Sequence, residues 1–297
     1  MSDILEVDNL KKDQLEEHSL SRTMNGFLLL LFIGCSFLVF NVGGYNTFIP
    51  SDMRLLTRIA VAGIMFISTY ILYRSQGEAN RYWKISFSFL IASIGLLMAW
   101  FFGTWYYLIP GLSPSTVEGA AIAKVAEALP IILSIMIGIW MVEKDFTPVY
   151  VQGGDLRRSI KLGLIASPAA LFPFIALGGL GFSASLEALF FGLPWIFLFS
   201  FSNGLMEELM IRGIFLREYD SLFGQTQSLI LTSVIFAIFH QAIIGITDII
   251  TLAYYFSIPL IMGLIWGYII QKSDNIWGAV LAHMIADVLF FLVMFGV

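Results

Sequence analysis

Long apolar runs separated by short polar segments make up most of the chain from residue 25 onward. A helix needs about 20 apolar residues to cross the hydrocarbon core of a bilayer. Runs of about that length predict membrane-spanning helices over residues 25–48, 55–73, 83–109, 120–142, 159–181, 186–216, 226–245, 251–271 and 276–296. The pattern therefore predicts an all-α, polytopic integral membrane protein with about eight or nine transmembrane helices.

Polar segments divide the chain into three parts. Residues 1–24 form an acidic, polar tail before the first apolar run. The longest polar connection, residues 143–160, contains a Thr-Pro and a Gly-Gly pair, both of which are turn signals. It predicts a boundary between N-terminal transmembrane helices over 25–158, whose role the sequence does not indicate, and a C-terminal transmembrane bundle over 159–297.

The run at 186–216 is unusually long for one crossing, and it contains Pro194 and Gly204. Both residues permit a bend in a helix. Two interpretations stay open for this run, namely one tilted helix or a helix followed by a re-entrant segment.

Composition supports lipid as the solvent of the chain. Hydrophobic residues make up 58% and charged residues 12% of the sequence, and the mean hydropathy is +0.85, values outside the range of soluble domains. The net charge of −5 provides no basic surface for nucleic acid, so nucleic-acid partners are excluded. Cys35 is the single cysteine, which excludes an intrachain disulfide and a multi-cysteine metal site.

Lysine and arginine collect on alternate connections between the predicted helices. The loops near 110–119 and 182–185 contain neither residue, whereas the connections on the other side contain several; Arg54 and Arg58 are the exceptions. By the positive-inside rule, the N-terminus is predicted to be cytoplasmic, in a multi-pass protein of the cell (inner) membrane.

Ionisable side chains at membrane depth are concentrated in the predicted C-terminal bundle. A charged side chain there costs at least about 2.5–3.5 kcal/mol on insertion scales, so each is a candidate functional residue. These candidates are Glu207, Glu208 and Arg212 on one predicted helix, His240 on the next, and His283 and Asp287 on the last.

Helical spacing predicts which of these groups meet. Glu208 and Arg212 stand at i and i+4, which favours an ion pair within the helix. Glu207 is rotated by about 100° from Glu208 and is free to face a cavity as a general base. His283 and Asp287 share one helix face. The depths of these residues, counted at about 1.5 Å per residue from the cytoplasmic ends of their helices, overlap and predict a single pocket that is sunk into the membrane and opens toward the cytoplasm.

Three motifs contain these residues, in an order that resembles a known family. They are Glu207-Glu208-Leu-Met-Ile-Arg212 (EExxxR), Phe236-Ala-Ile-Phe-His240 (FxxxH) and His283-Met-Ile-Ala-Asp287 (HxxxN/D). All three are similar to motifs of the CAAX protease and bacteriocin-processing (CPBP, or Abi) family, whose eukaryotic member is the Ras-converting CAAX endopeptidase. The resemblance covers roughly residues 185–297.

The resemblance implies a metal-independent glutamic endopeptidase with no cofactor and a conical catalytic cavity in the C-terminal helix bundle. In such an enzyme Glu207 and His240 would activate a water molecule, and His283 and Asp287 would stabilise the oxyanion. Glu208 and Arg212 would support the site. The implied substrates are membrane-bound peptides or lipidated proteins within reach of the inner leaflet of the lipid bilayer.

Asp287 departs from family members that have asparagine at this position. A carboxyl group donates a hydrogen bond only when it is protonated, and an ionised one repels an oxyanion. Asp287 is therefore open to two other interpretations. It orients His283, or it binds Zn²⁺ together with Glu207, His240 and His283, although the chain contains no HExxH motif.

Two other functions stay open on the sequence. Chains of Glu, His and Asp also carry protons in proton-coupled transporters, although no inverted repeat around broken helices is visible in the sequence. A non-catalytic membrane scaffold or immunity protein is the second alternative. In that protein, Glu208 and Arg212 would be a structural ion pair and the histidines would be packing residues.

Polar residues outside the motifs have simpler interpretations. Lys124 and Glu127, at i and i+3, are expected to satisfy each other, with a polar cavity lining as the alternative. Asn203 and Gly204 either loosen the helix near the substrate or permit close helix packing. Phe236 is expected to pack one turn from His240.

Overall fold

The computed structural model describes residues 22–45, 48–176, 186–244 and 249–295. Eleven α-helices and no strand are present in these ranges. The helices are α1 (Arg22–Ser36), α2 (Arg54–Arg74), α3 (Trp83–Phe102), α4 (Val117–Glu143), α5 (Leu156–Ala166), α6 (Leu171–Ala176), α7 (Leu186–Glu208), α8 (Leu216–Phe223), α9 (Gln225–Ile244), α10 (Ile249–Ser273) and α11 (Trp277–Phe295). The predicted all-α class is confirmed. Most of the predicted tail and the predicted loop at 182–185 lie outside these ranges.

Several helical segments in the described ranges have the length and composition to cross a membrane. Five pass this test, namely Thr23–Val42, Arg54–Arg74, Gly77–Leu108, Val117–Glu143 and Leu156–Ile175, and the apolar helix Trp277–Val293 is shorter. The chain is therefore a multi-pass integral membrane protein. The number of eight or nine crossings and the domain boundaries stay predictions.

Local signals in the sequence account for two helix starts. Thr116 precedes α4, and its hydroxyl accepts a hydrogen bond from the backbone N–H of Gly119 at 3.2 Å. Asp155 precedes α5 and accepts from the N–H of Arg158 at 2.9 Å. Both are N-cap interactions, which satisfy a backbone donor that has no partner within the helix.

Small residues bring α5 against α11. A Cβ atom added to Gly163 would lie 2.3 Å from the carbonyl oxygen of Gly278, so only glycine fits at this contact. The hydroxyl of Ser159 accepts from the N–H of Gly278 at 2.8 Å and donates to the carbonyl of Asn275 at 3.0 Å. Close approach of small residues is the usual means of packing helices in lipid, and here it fixes the helix that contains the third motif.

Buried aromatic rings connect the N-terminal helices to the end of the helix that contains the first motif. Phe215 follows that helix, and its ring packs against Phe89 of α3 at 4.7 Å and against Phe40 at 6.3 Å between centroids. The hydroxyl of Ser88 also donates to the carbonyl of Ile214 at 2.6 Å. The first part of the chain therefore packs directly on the segment that supports the candidate site.

Candidate active site

The first motif lies where α7 changes its helical form. The α-helix ends at Glu208, and Leu209–Gly213 continue as a π-helical turn in which all five residues are buried. Turns of this kind are rare and occur often at functional sites. The predicted run at 186–216 is thus helical through Gly213, and the apolar pattern did not reveal the π turn.

Glu208 joins the first motif to the third. Its Oε1 atom accepts hydrogen bonds from Nη1 of Arg212 and from Nδ1 of His283, both at 2.9 Å. Glu208 and Arg212 are fully buried, as the relative exposure of 0% for each shows. The ion pair that the i, i+4 spacing predicted is therefore present. Because an ionised carboxylate only accepts, the Nδ1 atom of His283 must be protonated.

Aromatic rings enclose Arg212 and His283. The guanidinium of Arg212 lies 4.1 Å from the ring centroid of Phe236 and 5.8 Å from that of Trp266. The Trp266 ring stacks on the imidazole of His283, with centroids 3.8 Å apart and planes at 16°. Such faces stabilise cations that have few hydrogen-bond partners. Phe236 packs against His240 as expected, at 4.4 Å between centroids.

Glu207 faces both histidines across short gaps. Its Oε2 atom lies 3.8 Å from Nε2 of His240 and 3.6 Å from Nε2 of His283. These distances exceed a normal hydrogen bond, and Oε2 is a buried atom without a hydrogen-bond partner in the described residues. The Nδ1 atom of His240 lies 3.0 Å from the carbonyl oxygen of Phe236. Since a carbonyl only accepts, Nδ1 carries the proton, and in the neutral ring Nε2 then has a lone pair on the side of Glu207.

Asp287 lies next to His283 and Asn203. Its Oδ2 atom accepts a hydrogen bond from Nδ2 of Asn203 at 2.9 Å, and its Oδ1 atom lies 3.8 Å from Nε2 of His283. The structure therefore brings Glu207, His240, His283 and Asp287 together. Gly204, next to Asn203, packs closely on α11, since an added Cβ would lie 3.4 Å from the N atom of Met284.

A cavity of about 550 Å³ adjoins these side chains. Its polar lining consists of Lys124, Asn203, Glu207, His240, His283 and Asp287. The rest of the lining is apolar or aromatic, with Phe199, Tyr255, Ile258, Met262, Trp266 and Phe290 among its members. A largely apolar cavity with a few convergent polar groups is typical of a ligand-binding site. Its conical shape and its direction of opening stay predictions.

The sequence did not indicate Asn203 and Trp266 as site residues. Asn203 was considered for its effect on the helix, whereas its side chain instead holds Asp287. Trp266 lies on α10, which contains none of the three motifs. One feature of the sequence could have indicated Trp266. It lies in the interior of a predicted span, whereas tryptophan is enriched at membrane interfaces.

The zinc interpretation is not supported by a ready ligand set. Within the parts of the chain that the structure describes, no group of three or more His, Cys, Asp and Glu side chains is arranged to hold a metal ion. The carboxylate oxygens of Glu207 and Asp287 lie 3.6–3.8 Å from histidine nitrogens. The effect of a chelator on activity tests the zinc interpretation directly.

Comparison with models of known protein families gives a match in the C-terminal part of the chain. The family model for the type II CAAX prenyl endopeptidase Rce1-like domain matches residues 188–289. This range contains all three motifs. No curated protein and no solved structure matches the chain.

Proposed function

We propose that this chain, whose residues 188–289 belong to the CAAX protease family, is an intramembrane endopeptidase. It hydrolyses a peptide bond in membrane-associated or lipidated peptides, without a metal ion. The observation that supports this best is the pair of acceptor atoms, Oε2 of Glu207 and Nε2 of His240, which face each other 3.8 Å apart at the cavity wall.

Two acceptors at this separation provide a binding position for one water molecule. An oxygen about 2.8 Å from each atom donates one hydrogen to Glu207 and the other to His240. Its lone pairs are then directed away from both groups, toward a substrate in the cavity. When the oxygen attacks the carbonyl carbon, Glu207 takes the proton as general base.

His283 is placed to stabilise the oxyanion that the attack creates. Glu208 accepts from its Nδ1, so a second proton on Nε2 makes His283 a donor toward the cavity. That proton also removes the lone-pair repulsion between Nε2 and the oxygens of Glu207 and Asp287 that it faces. A protonated His283 balances the one negative charge left by Glu207, Glu208 and Arg212.

Asp287 assists in its protonated form. Asn203 donates to Oδ2, which leaves Oδ1 on the His283 side as the atom that carries the proton. In that form Asp287 offers the O–H donor that replaces the amide donor of family members with asparagine. Transfer of the proton from Glu207 to the departing amine then breaks the C–N bond, and the second proton of the water passes to His240, so that a carboxylate and an amine are released.

A peptide panel tests this proposal. The purified protein in lipid nanodiscs is incubated with farnesylated and unmodified membrane peptides, and the products are identified by mass spectrometry. We expect the wild type to cleave at least one peptide, and Glu207→Ala and His240→Ala to lose about 100-fold or more of that rate. Glu143→Ala, at the end of α4, is the matched control and keeps the rate.

The alternatives give different results in the same experiment. Equal cleavage by the wild type and both variants contradicts the proposed site. No cleavage of any peptide by any of them favours the scaffold or the transporter. A chelator that removes the activity, with zinc restoring it, contradicts the metal-free mechanism.

A further inference from the structure

A polar group from the N-terminal helices reaches the cavity of the candidate site. Lys124 lies on α4, outside the residues that match the family model, and it lines the same cavity as Glu207 and His240. Its Nζ atom lies 2.6 Å from Oε2 of Glu127. The other oxygen of Glu127 accepts a hydrogen bond from the hydroxyl of Tyr45. Both oxygens of the Glu127 carboxylate are therefore occupied.

The pair presents its cationic side to the cavity. Lys124 contributes to the cavity lining, whereas Glu127 does not. An ammonium group has three donors, and one of them is directed to Glu127. Among the described residues that line this cavity, Lys124 is the cation outside the cluster in which His283 faces Glu207 and Asp287.

Lys124 provides a favourable place for an anionic group of a ligand in this cavity. Glu207 is a carboxylate and repels an anion, the donor of His283 is directed to the oxyanion in the proposed mechanism, and most of the remaining lining is apolar. A carboxylate that enters such a cavity needs a cation and hydrogen-bond donors to offset the loss of water. The donors of Lys124 that Glu127 does not engage meet that requirement, and Glu127 and Tyr45 hold the lysine in place.

We propose that Lys124 binds a carboxylate of the substrate and thereby determines which peptides are cleaved. This inference rests on the proposed endopeptidase function. A peptide bound in this way extends from the water position at Glu207 and His240 to the ammonium of Lys124. The N-terminal helices then provide substrate recognition, while the helices of the matched region provide the chemistry.

Three peptides distinguish the source of the carboxylate. The first ends in farnesylated Cys-Val-Ile-Met with a free C-terminal carboxylate, the second is its C-terminal amide, and the third is the amide with Glu in place of Met. We expect the wild type to prefer the acid over the amide by about 10-fold or more in kcat/KM, mainly through KM, because a charge-assisted hydrogen bond is lost. Recovery with the third peptide identifies a side-chain carboxylate as sufficient; no recovery identifies the terminal one. Both results support the inference.

Substitutions at Lys124 locate the preference. In Lys124→Met the acid-to-amide ratio is expected to approach one, and in Lys124→Arg it is expected to persist. Lys124→Met removes the ion-pair partner of Glu127. The double variant Lys124→Met and Glu127→Gln avoids this, because it replaces the charged pair by a neutral pair. Lys272→Met, which removes an exposed lysine of α10, is the matched control and keeps the wild-type ratio.

Each contrary result has a distinct meaning. A wild-type ratio of one, or an unchanged ratio in Lys124→Met and in the double variant, overturns the inference and leaves the proposed function standing. Failure of the wild type to cleave any of the three peptides overturns the proposed function, and this inference with it.

Discussion

Two ion pairs among the described residues join side chains one helical turn apart and have similar chemistry, and their surroundings give them different roles. Glu208 and Arg212 both have a side-chain exposure of 0%, whereas Lys124 and Glu127 have side-chain exposures of 20% and 23%. Each pair has a third partner, His283 for the first and Tyr45 for the second. The comparison shows that sequence spacing predicts whether two charges meet, whereas the tertiary structure decides what the pair acts on.

The enclosed pair acts on the protein itself. Within the described residues, the side chain of Glu208 makes its hydrogen bonds through one oxygen, which holds both Arg212 and His283. The open pair acts on the cavity, because its lysine lines the space next to Glu207. If this difference is correct, breaking the enclosed pair affects stability and catalysis together, whereas breaking the open pair affects mainly substrate preference.

The largest effect is expected from Arg212→Leu. This change removes the guanidinium partner of Glu208 and leaves the buried cluster with one uncompensated negative charge, a defect that costs about 3–5 kcal/mol of stability. Yield, thermal unfolding in detergent and peptide cleavage should all fall. The double variant Arg212→Leu and Glu208→Leu should recover stability but not activity, because Nδ1 of His283 then has no acceptor. Normal yield and stability in the single variant would contradict the role of the enclosed pair.

Substitutions at position 287 distinguish a hydrogen-bond donor role of Asp287 from a purely structural role. Asp287→Asn preserves a donor toward the oxyanion, and Asn203 can still donate to the new amide oxygen. We expect activity to be retained in this variant, whereas Asp287→Leu should lose about 10²–10³ in kcat, the usual cost of one oxyanion donor. Steady-state kinetics on the same peptide measure both. Equal activity of Asp287→Leu and the wild type would remove Asp287 from the site.

A smaller effect is expected from crowding the enclosed pair. A Cβ atom at Gly263 would lie 2.9 Å from Nη2 of Arg212 and 3.1 Å from Cα of Ser233. Gly263→Ala should therefore destabilise the protein by about 1–3 kcal/mol, as overpacking does, and reduce activity through a displaced Arg212. Thermal unfolding measures this cost. Gly26→Ala, which has no atom within 4 Å of its Cβ position, is the control and should be close to neutral.

The smallest effect is a pH dependence at Glu218, on the short helix α8. Burial raises the pKa of this carboxyl above its ordinary value. A raised pKa in the folded state means that the folded protein holds the proton to a higher pH than the unfolded chain does. The stability contribution is then complete below the unfolded pKa and falls as the pH rises through the folded pKa. Unfolding midpoints should decline less with pH in Glu218→Gln than in the wild type, and parallel curves would contradict this.

Helical periodicity and the motifs predicted a substantial part of the site. The contact of Glu208 with Arg212 followed from their spacing. The convergence of Glu207 with His240 and His283 followed from the motif resemblance. These contacts could be predicted from the sequence because they depend on the position of each residue around one helix axis, or on motifs that occur together.

Other parts of the site had no signal of this kind. The π-helical turn after Glu208 results from a shift in backbone hydrogen bonding that no residue pattern specifies. The contacts of Asn203 with Asp287, of Trp266 with His283, and of Tyr45 with Glu127 join residues far apart in the sequence. Such pairs depend on how helices pack, which hydrophobic patterns do not define.

The central claim is that Glu207 activates water for hydrolysis of a peptide bond, and Glu207→Gln tests it most directly. The substitution preserves the shape of the side chain and removes its capacity to take a proton. We predict that kcat for a farnesylated peptide falls by about 10²–10⁴, while the unfolding temperature stays that of the wild type. A folded Glu207→Gln protein that cleaves the peptide as fast as the wild type would contradict the account.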